Sequence, residues 1–396
     1  MLIVNGSSSA VKVAVIGGGI SACNFVSCLQ NLSDKKRFQL SLYDRGRDLG
    51  GRASSRTHVY DGENYTFDHG AQYIGKSKSD VFARILQGWV DRGYVEPWQG
   101  RFGTWDSQSG IIGLQEELRY VPKGSFSSLC SKLLVDALVA PQTSREVFAK
   151  KKSGSETWTI FDSKTGAFIE DGVNYVVFAD KATLMQHSHH FPSNVQQNLC
   201  TDIEQNLKAL PLLTVMVVFD QLSSHELLRS FPFSGCKFLD HPILGWVAND
   251  SSKEGRRRPD GKTCFVLQSQ YSFAEEIIEQ VELTHKGLSF DTLRAAVNKA
   301  AEEPLLKAFL EVAGTTATPL FVQGHRWGQA LNKGKLLKLS RDSCFFDRKT
   351  GIIAVGDYLA LESAGKVEGA VLSSLQAAEM LFTEAGCMGG LTTTAI

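Results

Sequence analysis

The sequence predicts an α/β fold in two domains, one a parallel sheet wound by helices and the other of mixed α+β structure. A β-branched run, a glycine-rich turn and a helix follow one another near the start of the chain. Further along, longer strand-like runs alternate with amphipathic helices. The length of 396 residues also exceeds what a single hydrophobic core usually supports.

Composition excludes several classes of function. The chain has 42 Lys+Arg and 42 Asp+Glu, so a nucleic acid or an anionic membrane is not expected as its main partner. No apolar run reaches the roughly 20 residues that span a bilayer, so no integral membrane association is expected. Residues 1–10 lack a basic, apolar leader, and the eight cysteines are scattered without a CxxC pair. We therefore expect a cytoplasmic protein, with a plastid location left open.

The strongest motif occupies residues 11–22, VKVAVIGGGISA. Its β-branched start predicts a buried parallel strand, and Gly17, Gly19 and Ala22 fit the pattern G-x-G-x-x-G/A at the start of a helix. Gly17 permits the tight turn, Gly19 lets a pyrophosphate approach the backbone, and Ala22 allows close packing of helix on strand. The helix N-terminus offers amide donors to the phosphates. The motif predicts a Rossmann-type dinucleotide site.

An acidic residue follows at the expected distance. A helix from about 21 to 32 leads to a strand over Phe38–Tyr43, and Asp44 ends it 22 residues beyond Ala22. In a βαβ unit, a carboxylate at this place binds the ribose hydroxyls of the adenosine. The alternative is an ordinary aspartate in a turn.

The segment 44–56, DRGRDLGGRASSR, indicates which dinucleotide is bound. Two adjacent glycines let the backbone reach a ligand, and a guanidinium pairs with phosphate oxygens. The segment resembles the second glycine motif of the flavoprotein amine oxidoreductase superfamily. That resemblance implies that Gly50, Gly51 and Arg52 lie against the pyrophosphate and ribityl chain of FAD. An arginine-rich surface turn is the alternative.

A third motif lies near the C-terminus. A short strand over 351–355 leads to Gly356 and Asp357, and residues 366–370 precede an apolar helix expected from about Val371 to Phe382. This arrangement resembles the closing flavin motif of the same superfamily, which implies that Asp357 contacts the ribityl or pyrophosphate region. The helix N-terminus would face the O2 and N1 edge of the flavin, where reduction places negative charge.

Within that superfamily, the chain is most similar to the renalase family. Residues 67–74, FDHGAQYI, resemble its D-x-G-A-Q-Y signature, and residues 120–129, YVPKGSFSSL, resemble P-x-G-M-S-x-L with Phe126 in place of Met. Residues 325–327, HRW, resemble its K-R-W element. One departure is the tripeptide ADK at residues 179–181, where the superfamily usually has Ala-x-Pro or a small residue.

Motifs at both chain ends require a discontinuous cofactor domain. We expect an FAD-binding domain of residues 1–75, 120–186 and 345–396 and a substrate domain of residues 76–119 and 187–344. The former would include a helix over 125–138 and a meander of strands over 146–179. The latter would include strands over 212–219 and 264–270, helical periodicity over 284–312 interrupted near Pro304, and a polar surface loop over 250–261 whose three arginines are solvated.

The expected function is that of an FAD-dependent oxidoreductase. No second dinucleotide fingerprint, nucleophile elbow or metal-ligand spacing stands out in the sequence, so no metal is expected and a nicotinamide would enter as substrate. The renalase resemblance implies oxidation of 2- or 6-dihydro isomers of NAD(P), with hydride passing to flavin N5 and O2 giving hydrogen peroxide. An amine oxidase or desaturase-type flavoenzyme is one alternative, and a non-catalytic flavin-binding protein is another.

Most candidate site residues follow from the three motifs and the resemblance, while Gln268, Trp246 and Tyr271 are candidates to line the pocket. The oligomeric state is left open. Non-covalent FAD is expected at Gly17, Gly19, Ile20, Ser21, Ala22, Asp44, Arg45, Gly51, Arg52, Gly70, Ala71, Gln72, Gly356, Asp357, Val367, Glu368 and Ala370. The candidate catalytic residues are Gln72, Tyr73, Gln268 and Trp327, and further pocket candidates are Trp246, Tyr271 and His325.

Overall fold

The computed structural model describes residues 10–33, 37–114, 118–151, 154–336, 343–360 and 363–388, and the chain forms two compact units. Unit 1 comprises Met1–Gly51, Cys130–Leu207 and Gly334–Ile396, and unit 2 comprises Arg52–Leu129 and Lys208–Lys333. The predicted class, a Rossmann-type domain with a second mixed domain, is confirmed. The assignment of 1–75, 120–186 and 345–396 to FAD and of 76–119 and 187–344 to substrate stays a prediction.

Helices and strands are interspersed along the chain. The helices are α1 (Ile20–Leu32), α2 (Asp80–Asp91), α3 (Phe126–Asp136), α4 (Lys181–Gln186), α5 (Ser193–Val195), α6 (Thr201–Asn206), α7 (Gln221–Ser230), α8 (Tyr271–Thr284), α9 (Phe290–Ala313) and α10 (Val367–Met388). The strands are β1 (Val11–Ile16), β2 (Phe38–Tyr43), β3 (Arg56–Tyr60), β4 (Glu63–Phe67), β5 (Val95–Pro97), β6 (Phe102–Asp106), β7 (Gly110–Leu114), β8 (Tyr120–Pro122), β9 (Pro141–Gln142), β10 (Val147–Lys151), β11 (Trp158–Asp162), β12 (Phe168–Val173), β13 (Tyr175–Phe178), β14 (Leu207–Phe219), β15 (Gly235–Phe238), β16 (Leu244–Asn249), β17 (Thr263–Ser269), β18 (Pro319–Gly334), β19 (Phe345–Asp347) and β20 (Ile352–Ala354).

Unit 1 is built on a six-stranded sheet with the order β19-β20-β13-β1-β2-β9. Strand β1 is parallel to both neighbours, with Val15 opposite Leu42 on one side and Val177 on the other. Its last four residues are buried, as expected for a strand covered on both faces. Strand β13, expected in the hairpin meander, instead lies at the centre of this sheet, because its wholly buried YVVF run suits a doubly covered position. The hairpins themselves form the antiparallel sheet β10-β11-β12.

Helices α1 and α10 pack together in unit 1. Helix α10 begins at Val367, about one turn before the predicted start at Val371, so the candidate residues Glu368 and Ala370 lie in its first turn. Inside the contact, the Asn24 side-chain amide donates to Ser374 Oγ at 2.9 Å and to the Val371 carbonyl at 3.4 Å. A buried polar contact therefore aligns the helices that follow the first and third motifs.

Unit 2 contains a seven-stranded sheet with the order β18-β14-β17-β16-β15-β6-β7. Helices α8 and α9 lie against it, and their apolar side chains share one core with β14 and β17. Across three strands, Thr214 and Trp246 both pair with Gln268 in the register. Because directly paired residues point to the same face of a sheet, these three side chains form a row. Among the described residues, no helix combines the length and the apolar character needed to cross a membrane.

The prediction of a break near Pro304 is wrong. Helix α9 continues through Pro304, because Ala301, Leu305 and Phe309 on either side of it are buried in the core. That burial outweighs a proline cost of about 3 kcal/mol. The helical pattern is interrupted earlier, between α8 and α9, where Ser289 caps α9.

The contact between α1 and α10 gives a stability prediction. Asn24→Ala is expected to lower the free energy of unfolding by about 1–3 kcal/mol, because a buried hydroxyl loses its donor partner. Urea denaturation followed by circular dichroism measures the change. Asn31→Ala, at an exposed position of the same helix, is the control and should change stability by less than about 0.5 kcal/mol. Equal midpoints for both variants would contradict the assigned role of Asn24.

Candidate functional site

The first glycine motif forms a turn at the start of α1 in unit 1. Gly17 has φ of +109°, a conformation that favours glycine. Gly19 occupies the N-cap and has no side chain with which to cap the helix, so the amides of the first turn around Ile20 and Ser21 suit an anionic group. Ala22 is fully buried, as close packing of the helix requires.

Gly18, which the fingerprint pattern leaves unspecified, is the most restricted of the three glycines. A Cβ at this position would lie 2.5 Å from Asp44 Oδ2 and 2.8 Å from Leu49 Cδ2. The Gly18 amide donates to Asp44, and the Gly18 carbonyl accepts from the Gly50 amide at 2.8 Å. Gly18 therefore joins the first glycine motif to both the acidic residue and the second glycine motif.

Asp44 lies where the βαβ pattern places it. Its two carboxylate oxygens accept from the amides of Gly18 and Gly46. Burial raises the pKa of Asp44, the two amide bonds lower it, and the nearby charge of Asp180 raises it again, with a net upward shift. The neighbouring candidate Arg45 is exposed.

Asp180, in the unusual ADK sequence, caps a helix. Its side chain accepts from the Thr183 amide at 2.8 Å and so caps α4. The same carboxylate lies 3.5 Å from the position that a Cβ of Gly17 would occupy. A second carboxylate thus lies beside the turn of the first glycine motif.

The third motif surrounds the start of α10. Gly356 has φ of +150°, and a Cβ there would lie 2.6 Å from the ring of Tyr358. Its amide donates to Ser373 Oγ at 2.9 Å, while the buried Asp357 carboxylate accepts from the Gly365 amide at 2.9 Å. Asp357 therefore shapes the turn that leads into Val367 and the buried Glu368.

The donor set of unit 1 fits FAD. The uncapped α1 N-terminus suits a pyrophosphate, and the Asp44 carboxylate suits ribose hydroxyls. Gly19 and Gly50 form an isolated parallel bridge, so two backbone segments without side chains lie together at this place. Close approach of a ligand to the backbone needs such glycines.

The remaining second-motif residues belong to unit 2. Arg52 follows Gly51 in a short 3-10 turn; its carbonyl accepts from the Ala71 amide at 3.0 Å, and its guanidinium donates to the Ala330 carbonyl at 3.2 Å. A Cβ on Gly70 would lie 2.0 Å from the Arg52 carbonyl oxygen, so only glycine fits. Residues 52 and 70–71 thus form one contact.

Three of the four candidate catalytic side chains converge on one backbone segment, residues 68–70. Gln72 Nε2 donates to the carbonyls of Asp68 and Gly70, and Gln268 Nε2 donates to the Gly70 carbonyl at 2.8 Å. Trp327 Nε1 donates to the His69 carbonyl at 3.0 Å. Irregular buried backbone needs such partners. The N–H groups of these side chains therefore hold the segment in place.

The fourth candidate, Tyr73, contributes to an aromatic group. Its ring centroid lies 5.4 Å from that of Trp246, and the Arg119 guanidinium carbon lies 5.1 Å from the Tyr73 centroid. Tyr271, another predicted pocket residue, is the first residue of α8.

A group of buried polar atoms in unit 2 has no hydrogen-bond partner among the described residues. They include Gln72 Oε1, His69 Nδ1, Trp246 Nε1 and Thr214 Oγ1. Buried polar atoms are normally paired, so these four suit a ligand or ordered water; their residues neighbour Gln268 in the sheet register or along residues 69–72. We call residues His69, Gly70, Gln72, Thr214, Trp246 and Gln268 the polar patch. His69 and Thr214 were not predicted, because a single histidine or threonine in a strand pattern carries no signal of its own.

Two histidines stand beside Trp327. The ring centroids of His69 and His325 are 4.7 Å apart, and Trp327 lies 4.9 Å from the first and 4.6 Å from the second. Burial lowers the pKa of His69 to about 3, helped by Arg56, and lowers that of His325 to about 2, helped by His69. Both imidazoles are therefore neutral at physiological pH.

The loop over 250–261, predicted to be a solvated surface loop, is partly buried. Asp250 and Lys253 are 1% and 2% exposed, and Arg256 pairs with Asp250 and with Asp68. Only Arg257 of the three arginines is exposed. The buried carboxylates supply partners that composition alone does not reveal, which explains the error.

The family model of the NAD(P)-binding Rossmann-like domain matches residues 15–89. No curated protein sequence matches the chain.

Solved structures share the fold over nearly the whole chain. A putative protoporphyrinogen oxidase from Exiguobacterium sp. 255-15 is 12% identical with a TM-score of 0.66, covering 95% of this chain and 99% of its own. Wild-type putrescine oxidase bound to putrescine is 12% identical with a TM-score of 0.63, covering 94% and 100%. An oxidoreductase from Methanosarcina mazei is 12% identical with a TM-score of 0.65, covering 93% and 100%. At such low identity the likeness concerns the fold.

The neutral histidine pair gives a testable prediction. Folding lowers both pKa values, so below pH of about 6.5 the unfolded state takes up protons that the folded state does not. The free energy of unfolding therefore falls as the pH drops below about 6.5 and does not depend on these groups above it. NMR titration should show no midpoint between pH 5 and 8 for His69 or His325, with signals assigned through His69→Gln and His325→Gln. A midpoint near pH 6.5 for either imidazole would contradict the buried neutral pair.

Proposed function

We propose that the protein is an FAD-dependent oxidoreductase that oxidises a small reduced substrate, with O2 as the acceptor and hydrogen peroxide as a product. The contact of Gly18 with both Asp44 and Gly50 carries the proposal, because it unites the first two motifs at an uncapped helix N-terminus. The match to a Rossmann-like domain and the fold shared with oxidases support it.

The residues that would hold FAD follow from this geometry. Gly17, Gly19 and the first turn of α1 would receive the pyrophosphate, and Asp44 would bind the adenosine ribose. Gly356, Asp357, Val367, Glu368 and Ala370 would shape the flavin end. FAD, when bound, supplies the acceptor for a hydride at its flavin ring. Without a cysteine or histidine next to Gly356 and Asp357 in the sequence, we propose non-covalent binding.

The polar patch is the proposed substrate-binding surface. Its unpartnered atoms are Gln72 Oε1, His69 Nδ1, Trp246 Nε1 and Thr214 Oγ1. They offer both acceptors and donors, which suits a polar heteroaromatic ring with an amide substituent. The faces of Trp327 and Tyr73 add flat apolar surface. A dihydronicotinamide has this combination of ring and amide.

The carboxylate that adjoins the patch, Asp68, offers an amine no free partner. Among the charges that act on the His69 imidazole, Arg56 lowers its pKa and Asp68 raises it. Asp68 is already paired with Lys253 and Arg256. Asp68 is therefore not available to bind the cation of a polyamine.

Together these features support a renalase-like substrate, a 2- or 6-dihydro isomer of NAD(P), in which the site residues orient the ring and no side chain has to carry a proton. An amine oxidase is the second candidate, because one protein that shares the fold is a putrescine oxidase bound to putrescine. The cytoplasmic location stays a prediction from the sequence.

Cofactor binding tests the first part of the proposal. The purified protein is expected to be yellow and to release intact FAD on acid precipitation. Asp44→Ala should weaken FAD binding by about 1–3 kcal/mol, because ribose hydroxyls and two amides lose their partner. Quenching of flavin fluorescence on titration of apoprotein measures the affinity. Asp48→Ala, at an exposed site in the same segment, should bind like the native chain. Equal affinities for both variants would contradict the assigned role of Asp44.

Reduction of the flavin tests the substrate. Under anaerobic conditions, 2- or 6-dihydro isomers of NAD(P) should bleach the flavin faster than the 4-dihydro isomer or putrescine, because ring position decides which carbon lies within about 3–3.5 Å of the acceptor. Stopped-flow absorbance measures the rates, and air should restore the colour with formation of hydrogen peroxide. Faster reduction by putrescine than by every dihydronicotinamide would replace this proposal with amine oxidation.

A further inference from the structure

Four charged side chains of unit 2 form a buried cluster that consists of Asp68, Asp250, Lys253 and Arg256. The two carboxylates are fully buried, and the side chains of Lys253 and Arg256 are 1% and 8% exposed. Lys253 Nζ lies 2.8 Å from Asp68 Oδ2 and 2.6 Å from Asp250 Oδ1. Arg256 Nη2 lies 2.8 Å from Asp68 Oδ1, and Nη1 contacts Asp250. Each cation thus bridges both carboxylates.

The cluster joins four separate stretches of the chain. Ser55 Oγ donates to the Asp68 carboxylate and accepts from the Phe126 amide at 3.0 Å. Arg256 Nε donates to the Gly124 carbonyl at 3.0 Å. The stretches around residues 52–55, 67–74 and 120–129 are those that carry the sequence motifs, and the fourth is the loop that contains Asp250.

Stability alone is a poor reason for such an arrangement. Removing two cations and two carboxylates from water is costly, and well-packed apolar groups of similar size often serve equally well or better. The position of Asp68 supplies another reason. Its amide donates to Asp250 Oδ2 at 3.2 Å, and both of its carboxylate oxygens are held by cations. Asp68, which precedes His69 and Gly70, is therefore held through both its main-chain amide and its side chain.

We propose that Lys253 and Arg256 are positioning residues that fix the backbone of residues 68–72 and, through it, the polar patch. The link to substrate rests on the proposed function, whereas the ordering of the segment does not. From Asp68 onward, the three successive carbonyls of residues 68–70 accept from Gln72, Trp327 and Gln268. A displaced Asp68 would shift these carbonyls and the side chains bonded to them.

The test uses Arg256→Lys in the full-length FAD-loaded protein. The variant keeps the charge but cannot bridge two carboxylates and a carbonyl with one planar group. Hydrogen exchange at the Asp68 and Ala71 amides should accelerate at least tenfold, while the amides of α1 and the affinity for FAD stay unchanged. For the best dihydronicotinamide isomer, kcat/KM should fall about tenfold or more. Arg257→Lys, the exposed neighbour, should match the native chain in every measurement.

A second variant covers the case in which Arg256→Lys does not fold. Asp250→Asn combined with Lys253→Met removes one charge of each sign and leaves the pair Asp68 and Arg256, and the same faster exchange is expected. Native exchange at Asp68 and Ala71 in a folded variant would overturn the proposal, as would faster exchange with unchanged kcat/KM. If no dihydronicotinamide reduces the flavin of the native chain, the proposed function fails, whereas the exchange rates still decide whether the cluster orders the segment.

Discussion

The burial of four charges is the constraint on which the candidate substrate surface of unit 2 depends. Burial by itself would raise the pKa of Asp68, but the charges of Arg256 and Lys253 bring it far below its usual range. Because folding lowers this pKa, the group stabilises the fold above pH of about 4 and loses that contribution as the pH falls further. The cluster is therefore fully formed at physiological pH. Its contacts hold the segment that begins at Asp68 in place.

The candidate dinucleotide site of unit 1 depends on accessible backbone instead of paired buried charges. A dinucleotide site needs backbone that a ligand can approach, so glycines, which have no side chain, occupy these positions. Gly18 shows this most clearly, because its amide and carbonyl bind Asp44 and Gly50 and a Cβ would collide with Asp44. One unit thus depends on glycines and an uncapped helix, and the other on satisfied buried charge.

The elements with a strong local pattern were predictable from sequence. The strand Phe38–Tyr43 has the predicted bounds. Its alternation of apolar and polar residues and the Asp44 that follows it show where the strand lies. Helix α9 was mispredicted because tertiary burial around Pro304 overrides a local helix breaker. The loop with three arginines was mispredicted because the partner of Arg256 at Asp68 is 188 residues distant. The family resemblance indicates Gln72 and Trp327, and Gln268 is only a pocket candidate in the sequence. Their common target, the backbone of residues 68–70, is visible only in three dimensions.

A crystal structure of the FAD-loaded protein with oxidised nicotinamide mononucleotide tests the account most directly. We predict that the carboxamide of the ligand binds unpartnered atoms of the polar patch, such as Gln72 Oε1 or Thr214 Oγ1, while the four buried charges keep their contacts. A ligand bound away from the polar patch, or a charge cluster opened to solvent when it binds, would contradict the account.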